Sequence, residues 1–249
     1  MTVLATRLAG ISFPSCLLNA SGAWSGTHQE LRELAASATG AVVIKTTTTQ
    51  ARVEDVKGCG IENPGQSYYL AVLSDLKATG KPIIGSVAGF TTAEYVELAH
   101  AYAQAGVQAV ELNLSDPIVP CNRSGTCDLA VVDEVMRAVR TAVQTPMAVK
   151  LPGLPDEAVG PAVDLLRRHR IEIFVCNTPQ LAAFVPAIDG ALDLIAVGGV
   201  SNGKDAHEVL RRGAKAVQIG SALMKEGPGV FARMQQELSA ERTRHETEA

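Results

Sequence analysis

The sequence predicts an α/β chain that closes into a (β/α)8 barrel of the TIM type. Three observations carry that prediction. Eight short apolar runs recur along the 249 residues, helix-like stretches separate most of them, and most runs are continuous rather than alternating. Continuous apolar runs are how strands buried on both faces read, and about 250 residues is the usual length for eight strand–helix units. An open doubly wound sheet is the main competitor. Its G-x-G-x-x-G turn does not follow the first run, and "GCGIEN" at 58–63 lacks the third glycine.

The strands are expected at "SCLLNA" (15–20), "AVVIKT" (41–46), "PIIGSVA" (82–88) and "QAVELNL" (108–114). The set continues with "MAVKLP" (147–152), "IEIFVCN" (171–177), "DLIAVGG" (193–199) and "AVQIGS" (216–221). Helices are expected over 27–38, 92–106, 129–143, 156–170, 203–214 and 227–241, several opening on Thr or Asp as N-caps do. The connections 47–81 and 178–192 read as irregular. No linker or repeat interrupts the pattern, so one domain is expected over 1–249, with the charged tail from about 240 frayed.

Composition narrows the function. At 47% apolar and 19% charged residues, the chain can bury a full-sized core. A net charge of −4 leaves no basic footprint for nucleic acid. No apolar run approaches membrane-spanning length, and "MTVLATRLAG" is no signal peptide. Five scattered cysteines suggest free thiols in a reducing cytoplasm, and the Cys121/Cys127 spacing without a nearby His is weak for zinc, so no metal is expected. A small-molecule substrate remains.

Barrel chemistry sits at the C-terminal strand ends. Here those ends carry Ala20-Ser21-Gly22, Lys45-Thr46, Asn113, Lys150, Asn177-Thr178, Gly198-Gly199 and Gly220-Ser221. Ammonium and amide groups with few acids suit an electron-rich planar ligand with acyl oxygens and a phosphate. The glycine turns after the seventh and eighth strands lie where barrels commonly bind phosphate.

The runs "LLNASGAW", "AVVIKTTT", "GSVAGFTTAEY", "VELNLSDPIVP", "AVKLPG", "VCNTP" and "AVGGVSNGKDAHEVLRRGAKAVQIGSALMKEGP" resemble, in order and spacing, the dihydroorotate dehydrogenases, above all the soluble class 1 enzymes. The resemblance covers nearly the whole chain. It implies an FMN-holding barrel that oxidises dihydroorotate, or a related dihydropyrimidine-like ring, by hydride transfer to the flavin. Ala20, Ser21, Gly22, Lys45, Thr46, Asn113 and Lys150 would line the flavin, and Gly198, Gly199, Gly220 and Ser221 would hold its phosphate. Asn113, Asn177 and Thr178 would meet the pyrimidine. The backbone around Gly60 and Ile61, with Lys45 and Lys57, would meet the rest of the substrate. Lys150 would counter the negative charge of the reduced ring. A homodimer is an expectation of the resemblance alone.

The chain also departs from the family. The family's base, a Cys or Ser after strand four, is Asp116 here, with Cys121 as a rival further along the loop. A substrate-reading Asn is replaced by Lys57, and the connection after strand six is shorter and lacks a glycine pair. No cysteine cluster for an iron–sulfur partner is present. Lys57 and Asp116 could face each other; an ammonium within about 6 Å of a carboxylate would perturb both titrations. The alternatives are a flavin-binding homologue with another substrate or no turnover, and a flavin-free phosphate-binding barrel synthase.

Overall fold

A computed structural model describes residues 4–52, 62–116 and 127–248. Strands β1 (Thr6–Leu8) and β2 (Ile11–Phe13) form an antiparallel hairpin. The main sheet is parallel and eight-stranded, in the order β3-β10-β9-β8-β7-β6-β5-β4. Its strands are β3 (Leu17–Asn19), β4 (Val42–Val43), β5 (Ile83–Val87), β6 (Ala109–Asn113), β7 (Met147–Lys150), β8 (Ile173–Asn177), β9 (Asp193–Val197) and β10 (Ala216–Ile219). Each lies within one of the eight apolar runs. Strands β5 and β6 are buried at every residue, as expected of strands packed between a barrel interior and a helical layer.

The seam between β3 and β4 closes through a side chain. The Asn19 amide donates to the Val43 carbonyl at 2.7 Å and accepts from the Val43 N–H at 2.8 Å. Backbone bonds on either side, Gly40 N to Leu17 O at 2.8 Å and Thr46 N to Ser21 O at 3.0 Å, complete the junction. Asn19 is fully buried, so its amide stands in for a peptide group and leaves no barrel edge unpaired. A run ending in Asn is thus partly a matter of closure rather than of chemistry.

The helices are α1 (His28–Ala36), α2 (Gln66–Ala78), α3 (Thr92–Gln104), α4 (Leu129–Ala142), α5 (Asp156–Arg168), α6 (Leu181–Ile188), α7 (Gly203–Arg211), α8 (Ser221–Glu226) and α9 (Val230–Glu248). The two connections read as irregular contain α2 and α6, the latter preceded by a 3-10 turn at Thr178–Gln180. Neither helix has a side-chain N-cap, and α6 holds Pro186, which is why sequence signals missed them. By contrast, α1 opens on Thr27, a Thr N-cap as expected, and Glu30 completes a capping box with it. Helix α9 runs through the charged tail. The β1–β2 hairpin turns at Ala9-Gly10, both at positive φ. It covers the N-terminal end of the barrel: Ala9 N donates to Asp193 Oδ2 at 2.6 Å and Thr6 Oγ1 to Lys215 O at 3.0 Å. No described helix is long and apolar enough to cross a membrane.

Candidate active site

Strand register decides which side chains share the barrel interior. Ser86 pairs with Glu111, and Asn113 with Lys150. Lys150 pairs in turn with Val175, and Asn177 with Val197. Paired residues on adjacent strands point to the same face, and residues two apart do likewise. The Asn113, Lys150 and Asn177 side chains therefore share the inner face at the C-terminal mouth.

The mouth is knit by short contacts. Thr46 Oγ1 lies 3.2 Å from Ser21 Oγ and 3.1 Å from Ser86 Oγ, and accepts from Asn113 Nδ2 at 2.9 Å. A Cβ on Gly220 would sit 3.8 Å from Ala20 Cβ, which puts the ends of β3 and β10 side by side. Thr178 Oγ1 donates to Gly198 O at 2.6 Å, joining the ends of β8 and β9. Ser21, Thr46, Asn113, Asn177, Thr178, Gly198 and Gly220 are thereby brought to one rim, with Gly22 exposed beside Ser21.

Three features of that rim leave space and unused polar groups. Among the described residues, the Lys150 ammonium and the Asn177 amide make no hydrogen bond or ion pair. Gly198 and Gly199 take φ values of +94° and +74°, and nothing lies within 4 Å of a Cβ built on either. Among the described residues their N–H groups make no hydrogen bond, as in anion-binding turns. A cavity of about 550 Å³ opens there, lined by Gly153, Asn177, Thr178, Gln180, Gly198 and Gly199 among others.

Asn113 is more committed than its expected role requires. Its Oδ1 accepts from Ser115 N at 3.1 Å and Ser115 Oγ at 2.7 Å, while its amide donates to Thr46. One N–H is left for a ligand. Asp116 follows on the same loop and is 5% exposed, a buried carboxyl three residues beyond the strand end. Lys57, Gly60, Ile61 and Cys121 lie outside the described residues, as does any pairing of Lys57 with Asp116. Cys176, next to Asn177 on the same strand, is buried, and that burial pushes its thiol up to about 12.

A polar layer beneath the mouth was not anticipated. Glu111 is fully buried, accepting from Ser86 Oγ at 2.9 Å and, across the barrel, from Gln218 Nε2 at 2.7 Å. Ser86 continues to Thr46, so Glu111 supports the mouth from below. The signal was legible as a lone Glu inside the apolar run "QAVELNL".

Comparison with known proteins agrees with this architecture. The family model described as dihydroorotate dehydrogenase matches residues 3–184 and 176–241. "Putative dihydroorotate dehydrogenase A (fumarate)" of Streptococcus pyogenes serotype M1 is 28% identical over 288 residues, spanning 96% of this chain and 93% of that protein. The protein of the same name from Streptococcus uberis is 29% identical over 291 residues, with the same coverage. Among solved structures, DHODH from Eimeria tenella in complex with ferulenol superposes with a TM-score of 0.83 at 14% identity, over 94% of this chain and 83% of that one. The ligand-free form has a TM-score of 0.83 at 15% identity, over 96% and 87%. At such identities the structures speak to the fold, a (β/α)8 TIM barrel. The family match extends over nearly the whole chain, and the chain belongs to the dihydroorotate dehydrogenase family of oxidoreductases.

Proposed function

We propose that this chain binds FMN at the C-terminal mouth and oxidises dihydroorotate or a related dihydropyrimidine-like ring. The observation that carries the reading is the partnerless pair of Lys150 and Asn177 beside the open Gly198-Gly199 turn. A planar ligand with acyl oxygens satisfies the ammonium and the amide, and a phosphate satisfies the free N–H groups. The residues fit the group: the turn has room where side chains would intrude, and Gly220 and Ser221 border the same rim across from Ala20.

When bound, a flavin supplies the hydride acceptor. The chain's own residues do the rest. Lys150 offers positive charge on the inner face, where a ring gaining electrons needs it. Asn177 reads a ring edge through its unused donors and acceptor. Asp116 takes the proton from the carbon next to the one that loses hydride. Lys45, on the segment after β4, meets the substrate acid. A second reading, a flavin-binding homologue with another substrate or no turnover, is favoured by one observation: Asn113 has spent most of its hydrogen bonds on Ser115 and Thr46.

Titration with FMN, followed by flavin fluorescence quenching, tests the common core of both readings. Saturable uptake at micromolar concentrations is expected, and its absence defeats them. Reduction of the bound flavin by dihydroorotate then separates the first reading from the second.

A further inference from the structure

A single arginine on α9 ties together the two chain segments that leave the glycine turns. Arg233 Nε and Nη2 donate to Glu226 Oε2 at 2.9 Å and Oε1 at 3.0 Å, a bidentate pair. Nη2 also donates to the Ser201 carbonyl at 3.1 Å, and Nη1 to Glu237 Oε1 at 2.7 Å. Glu237 Oε2 then accepts from Gly203 N at 2.7 Å.

Each partner leads back to the mouth. Ser201 stands two residues beyond Gly199. Its N–H and hydroxyl donate to Asp205 Oδ2 at 2.9 and 2.8 Å, so α7 grips this segment on one side and Arg233 on the other. Glu226 closes α8, the short helix that starts at Ser221 directly after Gly220, and Met224 N donates to Gly220 O at 3.1 Å. Strands β9 and β10 are neighbours in the sheet, so the Gly198-Gly199 and Gly220-Ser221 turns follow adjacent strands at the rim. Gly203 permits the close approach of α9, because a Cβ there would collide with Glu237 Cβ and Leu238 N.

Folding stability accounts poorly for such a network. The Arg233 side chain is 37% exposed and those of Glu226 and Glu237 are 38% exposed, and exposed ion pairs contribute little to folding. A planar guanidinium with several donors does fix the spacing and angle of the groups it bridges. Bridging Ser201 and Glu226 fixes the turn after β9 against the turn after β10. An anion held by N–H groups from two turns depends on that spacing, since donors must sit close to their productive geometry.

From this we infer that Arg233 is a positioning residue for the flavin phosphate, acting through the two segments it bridges rather than on the ligand. The inference rests on the proposed FMN site and adds to it a residue far along the chain that sets the site's geometry.

The test compares FMN with riboflavin, the same ring system without the phosphate, each titrated against the full chain and read by quenching of flavin fluorescence. The wild type should bind FMN more tightly than riboflavin. Arg233→Gln should weaken FMN about tenfold, as loss of an outer partner does for a bound metal ion, and leave riboflavin unchanged. Arg233→Lys, which keeps the charge but loses the planar fork, should fall between. Arg32→Gln removes an exposed 2.8 Å pair with Asp75 between α1 and α2 and should keep the wild-type ratio of the two affinities. A wild-type ratio in Arg233→Gln, whatever its unfolding temperature, makes the arginine merely structural and overturns the inference while the FMN site stands. An equal fall of the ratio in Arg32→Gln does the same. A wild type that binds both flavins equally removes the phosphate site and the inference with it, and one that binds neither removes the flavin reading as well. Should Arg233→Gln fail to fold, the ratio in Arg233→Lys decides by the same criterion.

Discussion

Asn19 shows how one amide can carry a structural task that resembles a functional one. Its side chain satisfies both the N–H and the C=O of Val43 at the barrel seam. Asn19→Ala leaves both groups unpaired in a buried place, at about 1–3 kcal/mol each. The urea midpoint should drop accordingly, without any change in FMN affinity of the protein that remains folded. Asp116 is a different case, a buried carboxyl three residues beyond the end of β6. A carboxylate is intrinsically a weaker base than an activated thiolate. Reduction of bound flavin by dihydroorotate should therefore be slow, and Asp116→Cys should speed it. Asp116→Ala should slow it further, by about 10²–10⁴ as for loss of a general base. If Cys121→Ala abolishes the reaction while Asp116→Ala leaves it intact, the cysteine is the base.

Among the elements, the helices are tied to one another by side chains that titrate. His169, at the end of α5, meets Asp133 of α4 with Nε2 2.7 Å from Oδ1. That hydrogen bond is the largest influence holding the Asp133 carboxyl below its ordinary range, with the nearby Arg168 and Arg137 adding to it. A carboxyl depressed in the folded state contributes stability that is present above its unfolded pKa and lost as pH falls through the folded value. Urea midpoints measured from neutral pH down to about 3 should thus decline less steeply in Asp133→Asn than in the wild type. An identical decline would show that the contact adds nothing. Another element, the β1–β2 hairpin, is held to the barrel floor by Asp193, which accepts from Ala9 N and pairs with Lys215. It has no part in the mouth, at the opposite end of the strands.

For the whole molecule, the barrel divides labour around a ring. The groups proposed to face the substrate follow β4 to β6, the free lysine and amide end β7 and β8, and the open Gly198-Gly199 turn follows β9. A ligand that touches several of these arcs binds only the closed barrel, so it stabilises the fold by linkage. At a hundredfold excess over Kd, FMN should add about 2.7 kcal/mol, roughly 5–10 °C in unfolding temperature for a chain of this size. Riboflavin, which lacks the phosphate, should raise it much less if the Gly198-Gly199 turn holds that group. Equal shifts for both would remove the phosphate site from the account.

The sequence by itself determined the barrel, because the eight runs were each apolar enough to be recognised as doubly buried strands. It also placed polar residues at the rim, since barrel strands deliver their last residues to one mouth and Lys45, Asn113, Lys150, Asn177 and the glycine turns were readable at strand ends. Helices α2 and α6 were not legible, since their first turns lack polar caps and their formation depends on packing against the sheet. Tertiary structure alone separated Asn19, spent on closing the seam, from Asn177, left free in a cavity. It alone joined Glu111 to Gln218, because the two side chains are far apart in sequence and meet only when the strands close into a ring. A hydrogen bond across a barrel has no local period for a sequence to display.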